Sequence, residues 1–494
     1  MDNYSSRPNR EGSLWRYIIN SKKNKIYVLT ALTAAILQFI IFKFLYPYAD
    51  FFSDSYSYIY AAYTGADTNI WPIGYSKFLC YFHMLSSSDT VLVSFQYFFL
   101  ILSCLSFFYT IVYLYRPGPT VSTTLYIFLF FNPLFLYLSN YVSSDALFLG
   151  VSLFWLVQLL WIIHHPAPHQ VWIHGLLLIV AFTLRYNAMY YPLVSLGAFM
   201  LSMHTRAAKI AGVAFGVILI VTFILYSRQK NYQLTGVRQF SIFSGWQLAN
   251  NALYMYPHVA AEEREVPPIC RDLDVLTRTY FKEVDSSLKF QSPAEGAFYI
   301  RHPEAPLKQY LIQYLKKDTL ANDVKGWGVV APTFATYGTF LIKHYPAAFS
   351  RYYLLPNMVN YLIPPLEKLE IYNVGMDEVY PPAAVWFGYG DIKIWSVSKY
   401  LQGILLFIFP ILFTMSNIFY AGCFILLVYS GKLKTMSHFP LIAILLNTIF
   451  LVLNFLFSVL ASPIVFRYQV LPLILCFTFS LIILEQLLQK KQLS

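Results

Sequence analysis

The sequence predicts an all-α polytopic membrane protein, and three observations predict it. Of its 494 residues 57% are hydrophobic and only 12% are charged, with a mean hydropathy of +0.52, whereas soluble domains carry about 25% charged residues. Apolar runs approaching the roughly twenty residues needed to cross a bilayer as a helix recur along the chain. The net charge of +11 is gathered in short segments flanking those runs, as positive-inside orientation requires, so no nucleic-acid partner is expected.

Taken in order, residues 1–25 are polar and basic, with Arg7, Arg10, Arg16, Lys22, Lys23 and Lys25, and read as a cytoplasmic tail. Residues 26–46 form the first apolar run, with no small-residue cleavage site after it, and read as an uncleaved signal anchor. Lys43 near its end is expected to snorkel toward the headgroups. Residues 47–83 then form the first outer segment, where Asp50 and Asp54 stand among aromatic residues. Further spans are expected at about 90–114, 120–138, 146–163, 170–186, 188–203 and 208–226, and at about 401–429, 438–460 and 468–488. Residues 489–494 close the chain as a second cytoplasmic tail.

The turns test that order. Arg116, His164 with His165, Arg206 with Lys209, Lys432 with Lys434, and Lys490 with Lys491 fall on the side predicted to be cytoplasmic. The turns SNYVSSD, RYN and ASPIVFRY fall on the other. About ten spans with both ends inside satisfy the charge rule at nearly every short turn, with Arg185 and Arg467 as outside exceptions.

Residues 227–400 are the one long interruption, mixed in charge and rich in Pro, Gly, Tyr and Trp, and parity puts them outside. They contain no apolar run of spanning length, so interfacial helices packed over the outer face of the bundle are expected rather than a free domain. Within them, Trp246, Gln247 and Asn250 combine an aromatic face with amides, as sugar-binding surfaces do; a tightly packed lid would use the same residues. Gly212 and Gly216, at GxxxG spacing, mark a close helix contact. The five cysteines show no paired spacing. Four histidines, His164, His165, His169 and His174, lie in and after a proline-containing cytoplasmic turn with no acid or Cys beside them, and an interfacial loop is the favoured reading over a metal site.

On this topology Asp50, Asp54, Lys77, His83, Asp145, Arg185 and Arg467 all lie at one outer level. Burying an unpaired charge near a bilayer is costly, so the set points to a shared polar cavity; the plainer alternative places each singly in the headgroup layer. A carboxylate can take a proton from an attacking hydroxyl or hold a divalent cation, while arginines clamp phosphate oxygens. That combination suits a substrate with a phosphate head and a lipid tail.

Four places carry a family resemblance. Asp54-Ser55-Tyr56-Ser57-Tyr58-Ile59-Tyr60-Ala61-Ala62 in the first outer segment is similar to a D-S-x-x-Y-I-x-x-A pattern, followed by WPIGYSKFL with Trp71, Pro72 and Gly74. Ser143-Ser144-Asp145 supplies an acid after the third span. TLRYNAMYYPL puts Arg185 in a short outer turn, and FRYQVLPLIL opens a late span with Arg467, Tyr468 and Pro472. Together they resemble the GT-C superfamily of polyprenyl-phosphate-sugar-dependent glycosyltransferases, and within it the protein mannosyltransferase and aminoarabinose transferase group. Two features depart from it: Asp50 and Asp54 are four apart rather than adjacent, and the large outer portion lies between spans seven and eight.

The resemblance implies a GT-C-like bundle with exoplasmic interfacial helices in a bacterial inner membrane, its active site facing the periplasm. It implies an inverting transfer of sugar from a polyprenyl-phosphate-linked donor to a glycan, lipid or protein acceptor. Asp54 would be the general base and Asp50 a second carboxylate, the two sharing a divalent cation (Mg or Mn) if that segment is helical. Arg185 and Arg467 would bind the donor phosphate. Asp145, Lys77, His83, Trp246, Gln247 and Asn250 would support the acceptor. No Walker loop, Rossmann fingerprint or nucleotide-sugar motif appears, which fits a donor already loaded onto lipid. The competing readings are an O-antigen polymerase or ligase, which would lean on arginines and on histidines of the outer loops such as His258, His302 and His344, and a flippase, which would need ionisable groups at mid-bilayer.

Overall fold

In lipid every backbone N–H and C=O must be paired within its own segment, so apolar runs of this length have to be helices. The computed structural model describes residues 13–259, 265–318, 323–434 and 436–488. Arg7, Arg10 and the expected tail 489–494 lie outside the described residues. Among those described, β structure is limited to two isolated bridges, Asp50–Tyr141 and Glu378–Lys393.

Among the described residues eight helices are long and apolar enough to cross a membrane: Lys22–Leu45, Asp89–Tyr115, Pro119–Asn140, Asp145–His164, Arg206–Thr235, Leu401–Tyr429, His438–Ala461 and Val470–Leu488. Side-chain oxygens of Ser21, Ser88 and Thr205 cap three of their starts, taking up N–H groups that have no partner within the helix. Asn132-Pro133 interrupts the third, and Asn132 Oδ1 restarts it by accepting from Leu134 N–H at 3.0 Å. Residues Leu14–Asn20 of the expected tail form a helix of their own, and the first span begins at Lys22.

Two expected spans are shorter than anticipated. Gln170–Leu184 has 15 residues and Tyr191–Leu201 has 11, about 22 and 17 Å at 1.5 Å per residue, against roughly 30 Å of hydrocarbon. Arg185 breaks the run, leaving the helix in extended backbone. Because the two are consecutive, two short crossings or one re-entrant pair leave the sidedness of all other helices the same.

Asp145–His164 is the axis of the bundle, with 78% of its apolar window buried; its Trp155 stacks on Tyr191 at 4.0 Å. Lys22–Leu45 and Arg206–Thr235 are peripheral, each 17% buried. Lys43 does not snorkel: its Nζ is buried without a hydrogen-bond partner. The GxxxG pair does mark close contact, since a Cβ on Gly212 would sit 2.2 Å from the Phe199 ring.

The long insertion divides in two. Residues 242–353 build a second hydrophobic core around Trp246, Leu253, Tyr299, Phe334 and Tyr337. Within it helices Ile242–Leu253 and Asp323–His344 cross at backbone contact. A Cβ on Gly245 would lie 2.1 Å from Ala331 O, and Trp246 stacks on Trp327 at 3.9 Å. Residues 361–394 pack on the bundle, and Tyr361, Leu366, Leu369, Tyr372 and Phe387 belong to its core. Two asparagines of the insertion hold the end of His438–Ala461. Asn251 Nδ2 donates to Leu460 O and Ala461 O, and Asn357 Nδ2 to Val459 O and Ser462 O.

Candidate functional site

The first outer segment begins as extended chain. Asp50 N–H donates to Asn140 O at 2.8 Å and Val142 N–H to Asp50 O at 3.1 Å, which fixes the segment beside Ser143-Ser144-Asp145. Helix Ser53–Tyr63 then starts with Asp54 in its first turn, where a carboxylate is favoured by the helix dipole. Asp145 occupies the same position in Asp145–His164. From the other end of the chain, Phe466 N–H donates to Pro365 O at 2.9 Å. That bond sets Arg467 beside Glu367 and Lys368, while Tyr141 OH donates to Lys368 O.

These local choices assemble one buried ionic cluster. Asp145 takes Arg185 Nη1 on Oδ1 at 2.9 Å and Arg467 Nη1 on Oδ2 at 3.2 Å, and Ser143 Oγ also donates to it at 2.7 Å. Arg185 Nε donates to Ser144 Oγ at 3.0 Å, and its guanidinium lies 4.6 Å from the Tyr468 ring. Asp54 Oδ2 faces Lys368 Nζ at 3.5 Å and Arg467 Nη2 at 3.9 Å. Glu367 meets Arg467 Nε at 3.7 Å and Arg301 Nη1 at 3.4 Å. Phe52 floors the cluster, with Lys368 Nζ 4.1 Å and the Arg467 carbon 5.0 Å from its ring.

The electrostatics follow from that inventory. Three carboxylates, Asp54, Asp145 and Glu367, balance three buried cations, Arg185, Arg467 and Lys368, and the excess positive charge is that of Arg301, 43% exposed at the rim. Burial pulls the Lys368 ammonium below the usual lysine range, against the pull of Asp54. Arg467 Nε and Glu367 Oε2 are both buried and face each other at 3.7 Å, beyond hydrogen-bond reach. Glu367 itself sits at φ +54°, the left-handed region that non-glycine residues occupy at a cost and that clusters at functional sites. Asp54 keeps its carboxylate at the edge of the cluster, 13% exposed, while the Asp145 side chain is 2% exposed. The cluster can therefore hold an anion beside a carboxylate that is still within reach of a second molecule.

Of the residues anticipated from sequence, Asp54, Asp145, Arg185 and Arg467 come together here. Asp50 does not join them. It lies ahead of the helix in extended chain, 1% exposed, and its Oδ1 accepts from Asn373 N–H at 2.9 Å. Burial pushes its carboxyl up to about 8. The helical face that would let Asp50 and Asp54 share a cation is not formed, and Asp54 is contacted by cations, so this donor set does not fit Mg or Mn. Among the described residues no group of three His, Cys, Asp or Glu is placed to hold a metal.

The remaining anticipated residues have structural partners elsewhere. Lys77 pairs with Asp67 at 3.0 Å, as does Lys230 at 2.9 Å, and together they hold the Asp67 carboxyl down to about 2. The His83 ring stacks on Trp386 at 4.0 Å. Trp246 Nε1 donates to Trp327 O, Gln247 Nε2 to Asn251 Oδ1, and Asn250 Oδ1 accepts from Tyr299 N–H. These three polar side chains support the second core. In the histidine turn, His164 Nε2 lies 3.0 Å from Tyr115 OH and its ring stacks on Phe439.

Sequence reasoning missed Arg301, Glu367 and Lys368. The one visible signal for Glu367 and Lys368 is the run Pro364-Pro365-Leu366-Glu367-Lys368, adjacent charges directly after two prolines and an apolar stretch; Arg301 has none. No family model matches the chain, and no curated protein or solved structure matches it.

Proposed function

We propose that the chain is a membrane glycosyltransferase of the inverting GT-C type, moving a sugar from a polyprenyl-phosphate carrier to a glycan, lipid or protein acceptor at the exoplasmic face. The observation that carries this reading is the positive charge gathered around Asp54 at the ends of the apolar helices. A lipid-linked phosphate brings one negative charge to that level on an apolar tail, which matches both the sign and the depth.

In this reaction Asp54 takes the proton of the acceptor hydroxyl as its oxygen bonds to the anomeric carbon. The bond from that carbon to the phosphate oxygen breaks on the opposite face, inverting the configuration and releasing polyprenyl phosphate. Arg467 and Lys368 meet the charge that grows on the leaving phosphate, and donors already in place for that charge lower the barrier. Arg185 and Asp145 hold Arg467 in position.

The histidines on which a polymerase or ligase would lean have other occupations: His258 stacks on Tyr352, His302 on Phe298, and His344 pairs with Glu265. That favours the transferase. The test is transfer in reconstituted vesicles from a panel of polyprenyl-phosphate sugars, with Asp54→Asn as the inactive control. Loss of no donor on incubation with wild-type protein, across the whole panel, would sink the proposal.

A further inference from the structure

The helical run that leaves the second core does not stay at its level. Pro346–Phe349, Ser350–Leu354 and Leu355–Leu362 follow one another without a break, the middle stretch as a wide π turn, because Pro356 has no N–H to continue the tighter ladder. Phe349 and Tyr353 still belong to the second core, whereas Tyr361 belongs to that of the bundle. Asn357 meets His438–Ala461 at its end, and Tyr361 OH donates to Asn454 Oδ1 at 3.0 Å, about 10 Å further along that helix. Thr414 Oγ1 donates to Leu362 O at 2.6 Å, about 20 Å from the start of Leu401–Tyr429. Leu355–Leu362 is thus a re-entrant helix. It descends between two apolar helices, its last carbonyl is satisfied by a side chain as lipid demands, and the chain returns through Pro364 and Pro365 to the ionic cluster.

The two faces of this helix differ. Asn357, Asn360 and Tyr361 are buried against the bundle. Leu355, Val359, Leu362 and Ile363 are exposed, and so are Ile411 and Met415, which neighbour Thr414 on the adjoining helix. An apolar strip one helix wide therefore runs down the bundle, and the chain that forms it leads straight on to Lys368. The Lys368 ammonium and the Arg467 guanidinium stand there beside Asp54, so the strip has positive charge at one end only.

We propose that this strip holds the isoprene units next to the phosphate of a polyprenyl phosphate, so that the re-entrant helix seats the carrier by its tail while Lys368 and Arg467 take its head. The inference rests on the reading of the cluster as a lipid-phosphate site. A strip one helix wide takes one chain, whereas a phospholipid brings two. A neutral polyprenol would cover the apolar surface and leave the charge at its end unanswered, and bulk lipid would cover it without preference. Burial of the exposed side chains of Val359, Leu362 and Ile363 under the tail supplies the apolar part of the binding.

The experiment uses the full chain in vesicles and a polyprenyl phosphate that carries a photoreactive diazirine on the isoprene unit next to the phosphate. After irradiation the label should map to residues 355–363 and 408–415. Excess unlabelled polyprenyl phosphate should displace it, and polyprenol or phosphatidylglycerol should not. Leu362→Ala should weaken that displacement about five-fold, as expected for losing part of one apolar contact, with an unchanged thermal midpoint. Leu225→Ala, exposed on Arg206–Thr235, should behave as wild type. Label mapping mainly outside the two stretches overturns the proposal, as does equal displacement by polyprenol or by phosphatidylglycerol, or wild-type displacement in Leu362→Ala. If Leu362→Ala cannot be purified, Val359→Ala on the same exposed face decides the matter. Transfer is followed in the same vesicles: labelling of the strip without transfer from any donor would remove the reaction and leave this inference, while transfer with the label elsewhere would remove this inference alone.

Discussion

Arg467 Nη1 lies 3.2 Å from Asp145 Oδ2, joining the starts of two apolar helices across 322 positions of chain. The same guanidinium also faces Asp54 and Glu367, so three carboxylates depend on one side chain that is 5% exposed. Removing one member of a buried ion pair strands the others and costs about 3–5 kcal/mol. Arg467→Gln should therefore lower the thermal midpoint of the purified protein sharply, and Arg467→Lys should recover only part of it, because a lysine cannot span the partners as a planar fork does. An unchanged midpoint in Arg467→Gln would contradict the cluster.

Asp54 and Asp145 should separate activity from stability. Asp54 meets its cations only at long range, 3.5 and 3.9 Å, so Asp54→Asn should cost less stability than the loss of a closely paired buried carboxylate. Its loss as general base should lower the transfer rate by roughly 10²–10⁴-fold. Asp145→Asn, which takes from Arg185 its ion-pair partner and from Arg467 its nearest carboxylate, should instead destabilise by about 3 kcal/mol or more. Matched measurements of midpoint and rate on the two variants decide the assignment.

Asp50 gives a pH signature. Its carboxyl is raised to about 8 in the fold by burial, against the hydrogen bond from Asn373, whereas in an unfolded chain it titrates near 4. Below about 4 it is protonated in both states and carries no penalty. Between about 4 and 8 the unfolded chain prefers the ionised form and the fold does not, so stability falls as pH rises through that window. Asp50→Asn, isosteric and still an acceptor for Asn373 N–H, should gain on wild type by several kcal/mol between pH 5 and pH 8. Parallel midpoint curves for the two proteins would show that Asp50 is ionised throughout.

Val374 offers a stabilising change. It sits at φ +52° in the turn whose Asn373 N–H is held by Asp50, and its side chain is 58% exposed. A β-branched residue in the left-handed region costs about 1–2 kcal/mol, while glycine adopts it freely. Val374→Gly should raise the thermal midpoint, with a net gain of about 1 kcal/mol after the entropy that glycine adds to the unfolded chain.

The helical bundle and four of the seven charged residues of the cluster were legible in the sequence for one reason: a charge at the end of an apolar run is conspicuous. Asp54, Asp145, Arg185 and Arg467 all stand out in that way. Arg301, Glu367 and Lys368 do not, because a charge among the many charges of the insertion carries no anomaly; what selects them is the Phe466 to Pro365 hydrogen bond, a contact between distant parts of the chain. Asp50 and Lys77 stood at the right level but found other partners, Asn373 and Asp67, for the same reason. The length of Gln170–Leu184 was misread because hydropathy runs on through Tyr186 and Ala188, although the backbone leaves the helix at Arg185.

The asparagines at the end of His438–Ala461 bear on the order in which the chain assembles. A helix end leaves carbonyls without partners, and here Asn251 and Asn357 engage those of Val459, Leu460, Ala461 and Ser462. Both asparagines leave the ribosome well before the helix they cap. The insertion, with its own hydrophobic core, can thus be folded and waiting when the hairpin of His438–Ala461 and Val470–Leu488 is made. That hairpin carries Arg467, so the ionic cluster cannot close before it is in place.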